Sequence, residues 1–301
     1  MIVVNWNAGD LLDSCLSSLS AADWTDVELR RVVIVDNASS DDSLTAAERS
    51  PLPIAMIRNR QNLGFAAAAN QGAAGSSADY ILFLNPDTRV TPDAIGAAAK
   101  LLAFEPRAGI CGVKMKNLAG ATSRSCARFP RPRHFLTKAL GLDRFLPGRF
   151  TTFFMREWDH ETSRWVDHVI GAFYLVRRAL FEQLSGFDER FFVYLEDVDF
   201  SLRAREAGWL SYYLADVEIM HVEGGTSQQI KARRLFYSLR SRLLYARKHF
   251  SRMGSLFVAA VTLVLEPVTR LAALAIGRNA TGMRDTLRAY ILLFRELGRR
   301  S

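Results

Sequence analysis

The segment from Gly186 to Phe200, with the sequence GFDERFFVYLEDVDF, mixes carboxylates with large apolar side chains. A carboxylate held against apolar neighbours loses hydration, and like charges nearby raise its pKa further. Such a group can take a proton near neutral pH and act as a general base. The pattern also fits the start of a helix, where acids cap free N–H groups and favour the helix dipole. The segment alone leaves both interpretations open. Its acidic residues are Asp188, Glu189, Glu196, Asp197 and Asp199.

Asp87 is a second candidate for chemistry, because it follows the apolar run YILFL in the sequence LNPDT. A Pro-containing type I turn would explain the same residues. Alternatively, Asp87 ligates a divalent cation that also holds a diphosphate, since Mg²⁺ often uses one or two carboxylates beside substrate phosphates. Mn²⁺ accepts imidazole as well, which draws attention to His221. That histidine precedes the sequence GGT at 224–226, a loop suited to approaching a phosphate.

Asp36 ends the apolar run VVIV and is followed by the polar sequence NASSDDS. A carboxylate at a strand end can accept a hydrogen bond from the imide N–H of uracil or thymine. The same position suits an Asx-turn or a helix cap, and Asp36 taken alone favours that structural role.

Elements that would position these residues follow a β-α rhythm over the first 116 residues. This rhythm predicts a mainly parallel sheet with helices on both faces. Ligands of such sheets bind outside the carboxyl ends of the strands, where Asn5, Asp36 and Asp87 fall. Neither GxGxxG nor GxxxxGK[ST] occurs, so a dinucleotide-binding fingerprint and a P-loop are not supported. The predicted strands are Ile2–Asn5, Arg31–Asp36, Ile54–Arg58, Tyr80–Asn85 and Gly109–Met115; the predicted helices are Asp10–Ser20, Ser43–Glu48, Phe65–Gly75 and Pro92–Phe104.

Beyond residue 116 the pattern changes. Residues 117–167 predict long loops and small helices over one side of the sheet. A strand at Val169–Val176 then leads to a helix at Val198–Ala207, in which Asp199 and Arg203 are spaced to pair at i, i+4. Two further strands are expected at 210–214 and 217–220. After residue 227 the chain reads as wholly helical.

Seven motifs in order resemble those of family 2 glycosyltransferases of the GT-A fold, in particular the rhamnosyltransferase-like branch. They are VVNWN, VVIVDNASSDDS, NLGFAAAANQG, YILFLNPDT, IGAFYLVRR, GFDERFFVYLEDVDFSLRAREAG and HVEGGTS. The resemblance covers residues 1–227. It implies transfer of a sugar from a nucleotide-diphosphate donor with inversion at the anomeric carbon, assisted by Mg²⁺ or Mn²⁺.

The resemblance also implies roles for individual residues. Asp197 would be the general base that deprotonates the acceptor hydroxyl, and Glu196 would place the acceptor or tune its neighbour. Asp87 would occupy the metal position of the DxD motif, with His221 as a further contact to metal or diphosphate. The implied donor-binding residues are Asn5, Asp36, Asn37, Asn62, Gly64, Asn85 and Asp87, and Gly171 and Ala172 would line the acceptor side.

Two positions depart from the family pattern. Asn85 replaces the first Asp of DxD, and Ala69 stands where some members carry an Arg that helps to bind the base. The sequences NPD and GFAAAANQG are nevertheless typical of the rhamnosyltransferase-like group. They favour dTDP-L-rhamnose as donor, with a UDP- or GDP-sugar as the alternative.

The positive charge is concentrated towards the C-terminus of this 301-residue chain, whose formal net charge is +8. Between Glu223 and Glu266 there is no acid. Such a block indicates anionic lipid headgroups or nucleic acid as partner, or simply a solvated helix face. The apolar run GSLFVAAVTLVL that follows is shorter than the ~20 residues that span a bilayer. It suits an interfacial helix or one packed on the main domain. The basic residues are Lys231, Arg233, Arg234, Arg240, Arg242, Arg247, Lys248 and Arg252.

Composition bounds the remaining expectations. Hydrophobic residues make up 49% of the chain, as in an ordinary globular protein. Three scattered cysteines, Cys15, Cys111 and Cys126, suit a reducing compartment without disulfides. The start on an apolar strand without a basic leader predicts a cytoplasmic protein, and its abruptness suggests a natural start slightly before Met1.

We therefore expect a GT-A glycosyltransferase domain over 1–227, with a nucleotide-sugar half (1–116) and an acceptor half (117–227), and a basic helical extension over 228–301. The expected function is sugar transfer to a glycan or lipid-linked acceptor in bacterial surface polysaccharide synthesis, at the cytoplasmic face of the inner membrane. A noncatalytic nucleotide-sugar-binding or scaffold protein is the alternative. Nucleic-acid binding is disfavoured, because no RNP-type motif occurs and the basic residues avoid the sheet motifs. The acceptor, the linkage and the oligomeric state stay open.

Overall fold

The computed structural model describes residues 1–145, 149–222 and 231–299. Within them, nine strands form one mixed sheet in the order β3-β2-β1-β4-β10-β6-β11-β5, with β8 paired to β11, and β7 and β9 form a separate pair. The strands are β1 Ile2–Asn5, β2 Val32–Asp36, β3 Ile54–Arg58, β4 Tyr80–Leu84, β5 Thr88–Val90, β6 Ala108–Lys116, β7 Cys126–Ala127, β8 Arg164–Val166, β9 His168–Val169, β10 Phe173–Arg177 and β11 Leu210–His221.

Helices connect and extend this sheet. The bounds are α1 Asp10–Ser20, α2 Leu44–Arg49, α3 Phe65–Ala73, α4 Ala94–Phe104, α5 Pro132–Leu140, α6 Leu142–Phe145, α7 Arg178–Gln183, α8 Glu196–Glu206, α9 Lys231–His249, α10 Arg252–Ala260, α11 Glu266–Ile276 and α12 Ala280–Arg299. A π-helical turn, Val261–Leu265, joins α10 to α11. The βα order and the continuous apolar strands expected for the first 116 residues are confirmed.

Strand direction explains which residues meet. β1, β2, β3 and β4 are parallel, and β11 is parallel to β6. β10 lies between these two blocks and is antiparallel to both of its neighbours. The carboxyl ends of β1, β2, β4 and β11 and the amino end of β10 therefore share one edge of the sheet.

Two strand predictions were wrong. The strand expected at Val169–Val176 is interrupted at Gly171, because the Gly171 N–H donates to the Asp197 carboxylate (2.9 Å) and the Ala172 carbonyl accepts from the Asn85 N–H (3.0 Å). The strands expected at 210–214 and 217–220 are one strand, β11, whose register shifts between Leu214 and Glu218.

Compact packing divides the chain into two units. The first comprises Met1–Phe129, Trp158–Phe192 and Glu196–Thr226, and the second comprises Pro130–Glu157, Val193–Leu195 and Ser227–Ser301. The first unit contains the sheet, with α1 and α4 packed on a core that includes Leu12, Leu102 and Val113. The second consists of helices, among which α9 and α12 share a core around Leu239, Tyr290 and Leu293.

Candidate active site

The end of β1 contacts the end of β2 through a buried polar cluster. Asn5 Nδ2 donates to Asp36 Oδ1 (2.9 Å), to Ser39 Oγ (3.1 Å) and to Ser43 Oγ (2.9 Å). Asp36 also accepts from the Ser39 hydroxyl (2.6 Å) and backbone N–H (3.1 Å). Asn5 is fully buried, and Asp36 is nearly so. These bonds hold the Asp36 carboxylate in one orientation. Asn5 is buried, so it positions Asp36 and is not itself exposed to a ligand.

Asn37 organises the next loop. Its Nδ2 donates to the Gly64 carbonyl (3.0 Å), and its Oδ1 accepts from Asn59 Nδ2 (3.0 Å). Asn62 Oδ1 accepts from the Gly64 N–H (2.9 Å). Gly64 has φ +84°, and an added Cβ would lie 2.2 Å from the Phe192 carbonyl oxygen. Only glycine fits here, since the backbone is left-handed and a second chain segment passes against it.

Asp87 and His221 lie side by side at the end of β11. His221 Nε2 is 3.3 Å from Asp87 Oδ1, and the Val222 N–H donates to the Asp87 carbonyl (2.9 Å). Both side chains are largely buried, and His221 Nδ1 has no hydrogen-bond partner among the residues that the structure describes. Asn85 lies two residues before Asp87, and its backbone N–H donates to the Ala172 carbonyl (3.0 Å). An aspartate and an imidazole thus lie together where the sequence places the metal position.

Asp197 lies in the first turn of α8, so this helix begins two residues before the predicted Val198. Its Oδ2 accepts from the Gly171 N–H (2.9 Å) and lies 3.5 Å from His168 Nε2, while its Oδ1 accepts from the Val198 N–H (2.8 Å). Its side chain is 18% exposed, so ligands can reach it. The helix-start interpretation of the acidic segment is confirmed, since Glu196, Asp197 and Asp199 lie in the first turn of α8. The general-base interpretation stays a prediction.

The pKa values of the two adjacent carboxyl groups shift in opposite directions. Burial alone would raise the pKa of Asp197, but His168 and the N–H groups of Gly171 and Val198 outweigh it and lower that pKa. Burial, and then the neighbouring Asp197 carboxylate, raise the pKa of Glu196 well above its usual range. Glu196 is buried, and within the described part of the chain its Oε2 has no hydrogen-bond partner. Asp197 is therefore the ionised member of the pair.

His168 is a site residue that the sequence interpretation missed. It is buried, and its Nδ1 lies 2.9 Å from Ser201 Oγ, which in turn lies 2.8 Å from the Tyr174 hydroxyl. A chain of side chains thus runs from Tyr174 to the Asp197 carboxylate. The one available signal was the polar pair DH in the apolar sequence WVDHVIGAF, where a buried histidine needs polar partners.

Asn70 is a second residue without a predicted role. Its Oδ1 accepts from the Phe187 N–H (2.9 Å), and its Nδ2 donates to the Phe187 carbonyl (2.9 Å) and to Glu189 Oε1 (3.0 Å). It thereby fixes the start of the acidic segment against α3. Ala69 beside it is fully buried, so the position that carries an Arg in some family members is part of the core here.

Aromatic packing and an ion pair support the acidic segment. The Phe187 ring contacts those of Phe83 (4.9 Å between centroids) and Phe200 (5.2 Å). The predicted i, i+4 pair is confirmed, with Arg203 Nε donating to Asp199 Oδ2 (2.8 Å). Asp199 is fully buried, and Arg203 also donates to two backbone carbonyls between α7 and the acidic segment. The pair therefore anchors the acidic segment to α8.

Asp87 and His221 offer an oxygen and a nitrogen ligand for a divalent cation. Within the described ranges, no group of three or more His, Cys, Asp or Glu side chains has metal-site spacing. The two donors at Asp87 and His221, and the unpartnered Nδ1 of His221, nevertheless fit a cation whose remaining ligands are donor phosphates and water. The GGT sequence at 224–226 lies outside the described residues.

Comparison with known proteins decides the family. The profile of Glycosyl transferase family 2 matches residues 1–185. The chain is a family 2 glycosyltransferase. An N-acetylglucosaminyl-diphospho-decaprenol L-rhamnosyltransferase of Mycobacterium tuberculosis is 32% identical to this glycosyltransferase over 234 residues, which is 73% of this chain and 75% of the relative. The rhamnosyltransferase WbbL of Escherichia coli is 28% identical over 187 residues, covering 60% and 68% of the two chains. The predicted resemblance is confirmed.

Solved structures confirm the GT-A fold of this glycosyltransferase. The mannosyltransferase PcManGT of Pyrobaculum calidifontis, in complex with GDP-Man and Mn²⁺, has a TM-score of 0.58 at 19% identity and covers 97% of this chain and 86% of its own. TarS 1–349 of S. aureus has a TM-score of 0.54 at 16% identity, with 97% and 90% covered.

Proposed function

We propose that this glycosyltransferase moves L-rhamnose from dTDP-L-rhamnose to a glycan or lipid-linked acceptor, with inversion at the anomeric carbon. The observation that carries the proposal is the Asp197 carboxylate, held by the Gly171 N–H at the sheet edge shared with Asp87. The choice of sugar is supported by the 32% identity to a relative that is named as an L-rhamnosyltransferase.

In this proposal Asp197 is the general base. A sugar hydroxyl is a poor nucleophile until a base takes its proton in the transition state. The lowered pKa of Asp197 keeps the carboxylate ionised at neutral pH, ready to accept that proton. Glu196, whose pKa is raised by burial and by the Asp197 carboxylate, holds its proton to higher pH than an ordinary glutamate. Gly171 and Ala172 form the acceptor side, where the acceptor hydroxyl would approach the base.

The donor would bind across the ends of β1, β2 and β4. Asp36 is proposed to accept from the imide N–H of thymine, with Asn5 and Ser39 fixing its orientation. The loop held by Asn37, Asn62 and Gly64 would lie beside the nucleotide. Asn85 and Asp87 would face the diphosphate. The alternative donors are UDP- and GDP-sugars, since PcManGT was solved with GDP-Man and TarS with UDP-GlcNAc.

Asp87 and His221 are the residues that would hold Mg²⁺ or Mn²⁺. When bound, the cation neutralises negative charge that develops on the departing diphosphate. Asn85 contributes no carboxylate, so Asp87 supplies the charge, and His221 supplies a nitrogen ligand that favours Mn²⁺. With the base on one side of the sugar and the diphosphate contacts on the other, direct displacement gives inversion.

Membrane contact is proposed for the second unit. In the described part of the chain, one helical segment, Arg252–Ile276, is long and apolar enough to cross a bilayer by length and composition. However, Glu266 near its middle is buried and paired with Arg242 and Arg270. A paired anion on one face and apolar side chains on the other suit a helix that lies in the interface of the inner membrane. Exposed apolar residues of this segment include Met253, Leu256, Phe257, Val264, Val268 and Ile276.

A panel of nucleotide sugars tests the proposal. Wild-type protein is incubated with dTDP-L-rhamnose, UDP-GlcNAc or GDP-mannose, with Mn²⁺ or Mg²⁺, and release of nucleotide diphosphate is followed with a polyprenyl-diphosphate-linked acceptor. Asp197→Asn is expected to lower turnover at least about a hundredfold with donor binding unchanged. The exposed Asp13→Asn on α1 is the matched control.

Each outcome has a distinct meaning. Turnover of another donor alone would replace the rhamnosyl assignment while keeping the enzyme. Donor binding without turnover would support the noncatalytic alternative. Turnover by Asp197→Asn at the wild-type rate would remove Asp197 as the base.

A further inference from the structure

A basic pocket of about 420 Å³ lies in the second unit, between residues 231–233 of α9 and residues 285–295 of α12. Lys231 and Arg233 line it from α9, and Arg288 and Arg295 line it from α12. Among the described residues that line it, Asp285 is the one carboxylate. The pocket therefore carries an excess of three positive charges.

These cationic side chains are available for a ligand. None of the four makes an ion pair with any residue that the structure describes, whereas the neighbouring Arg240 is paired with Glu296. Several unpaired cations around one concavity lower the free energy of a bound phosphate.

An apolar stripe lies beside the pocket on α12. Leu287, Ile291 and Phe294 are spaced i, i+4, i+7, so they occupy one face of the helix. Each is about half exposed, at 50%, 50% and 52%. Ile291 also lines the pocket itself. A soluble anion would leave these apolar side chains in water. A phospholipid carries a phosphate and acyl chains together, so it can occupy the pocket and cover the stripe.

We propose that the pocket binds the phosphate headgroup of an anionic phospholipid, while Leu287, Ile291 and Phe294 enter the acyl-chain region. The inference rests on the membrane contact in the proposed function and adds to the segment Arg252–Ile276 a headgroup site on α9 and α12. Charge complementarity and the adjoining apolar stripe select this occupant over a nucleic acid, whose backbone would leave the stripe in water.

Vesicle sedimentation of the full chain tests the inference. Binding to phosphatidylcholine vesicles is compared with binding to vesicles that also contain phosphatidylglycerol. The double variant Arg288→Gln/Arg295→Gln is expected to bind the anionic vesicles about 30-fold more weakly. The control Arg133→Gln/Arg247→Gln removes two exposed charges elsewhere in the same unit and is expected to lose less than about threefold.

Equal losses in the two double variants would overturn the inference, because they would show diffuse electrostatic attraction. A second variant, Ile291→Ser/Phe294→Ser, keeps every charge and is expected to weaken vesicle binding while leaving binding of inorganic phosphate unchanged. If inorganic phosphate or an oligonucleotide bound the pocket tightly and this variant sedimented like wild type, the lipid assignment would be wrong.

The catalytic proposal is tested separately, without vesicles, by following release of nucleotide diphosphate as the sugar is transferred to a water-soluble acceptor. The pocket variants are expected to keep wild-type rates there. Loss of vesicle binding with intact release supports the lipid site, and intact binding with no release would contradict the catalytic proposal alone.

Discussion

His168 Nε2 lies 3.5 Å from Asp197 Oδ2, and the other ring nitrogen lies 2.9 Å from Ser201 Oγ. The imidazole therefore joins the proposed base to a buried hydroxyl pair formed by Ser201 and Tyr174. Its contact with Asp197 lowers the pKa of that carboxyl and limits the directions in which the carboxylate can point. His168 is a positioning residue in this arrangement, since it reaches the acceptor only through Asp197.

Replacing His168 by Phe is expected to lower kcat about 10- to 100-fold, because the imidazole contact that positions the base is lost. The KM for donor should stay near its wild-type value. Without the imidazole the pKa of Asp197 rises, so the acid limb of the pH–rate profile should move to higher pH. Steady-state kinetics across pH measure both effects.

His168→Gln is the conservative comparison, since its amide keeps one hydrogen bond, and it should retain part of the rate. A purely structural role for His168 would lower the amount of folded protein in each variant and leave the position of the acid limb unchanged.

Glu196→Gln should stabilise the protein at neutral pH. The folded-state pKa of Glu196 is raised, so its contribution to the free energy of unfolding is fully present below the ordinary glutamate pKa of about 4.3. That contribution is lost as pH rises towards the folded-state pKa. Glutamine is neutral throughout. The variant should therefore gain about 1 to 3 kcal/mol in free energy of unfolding near pH 7. The gain should vanish near pH 4.

Urea unfolding at several pH values measures this difference. Glu206→Gln, an exposed change in the last turn of the same helix, should show no such trend. A gain that is constant across pH would contradict the assignment of a raised pKa to Glu196.

Gly64→Ala and Gly75→Ala form a matched pair at the two ends of α3. Both glycines have left-handed backbones, with φ of +84° and +68°. A Cβ at Gly64 would collide with the Phe192 carbonyl, whereas one at Gly75 meets nothing within 4 Å. Gly64→Ala should cost more than about 3 kcal/mol, and Gly75→Ala about 1 kcal/mol from backbone strain alone. Denaturant midpoints compare them, and equal costs would show that the contact with Phe192 is unimportant.

Asp87→Asn should weaken binding of dTDP about 10- to 100-fold in the presence of Mn²⁺ and leave binding in a chelator nearly unchanged. His221→Gln should act in the same direction with Mn²⁺ and less with Mg²⁺, because the imidazole favours the softer ion. Calorimetric titration of the nucleotide with each ion measures these affinities. Equal losses with and without metal would assign Asp87 to the nucleotide itself.

Much of the fold follows from local patterns. The apolar runs ending at Asn5, Asp36 and Leu84 predict parallel strands, and parallel strands bring the polar residues after them to one edge. That reasoning placed Asp36 and Asp87 correctly with respect to the sheet. The i, i+4 spacing of Asp199 and Arg203 likewise predicted their ion pair.

Other features depend on contacts between distant residues. The sequence around Gly171 reads as a continuous strand, and it breaks because Asp197, 26 positions later, takes the Gly171 N–H. His168 and Ser201 are 33 positions apart, so no periodicity could pair them. The opposite pKa shifts of Glu196 and Asp197 depend on the contacts that each side chain makes at the start of α8. The sequence does not distinguish two neighbouring carboxylates, so it could not predict these shifts.

Arg242 precedes Glu266 by 24 residues along the chain and forms a buried ion pair with it. During synthesis the counter-charge is therefore already present when the apolar segment from Arg252 to Ile276 emerges. Packing of this segment onto α9, which pairs Glu266 with Arg242, then competes with insertion of the segment into the bilayer as a spanning helix. Because Arg242 is synthesised before Glu266, the chain order favours folding of this helix within the second unit.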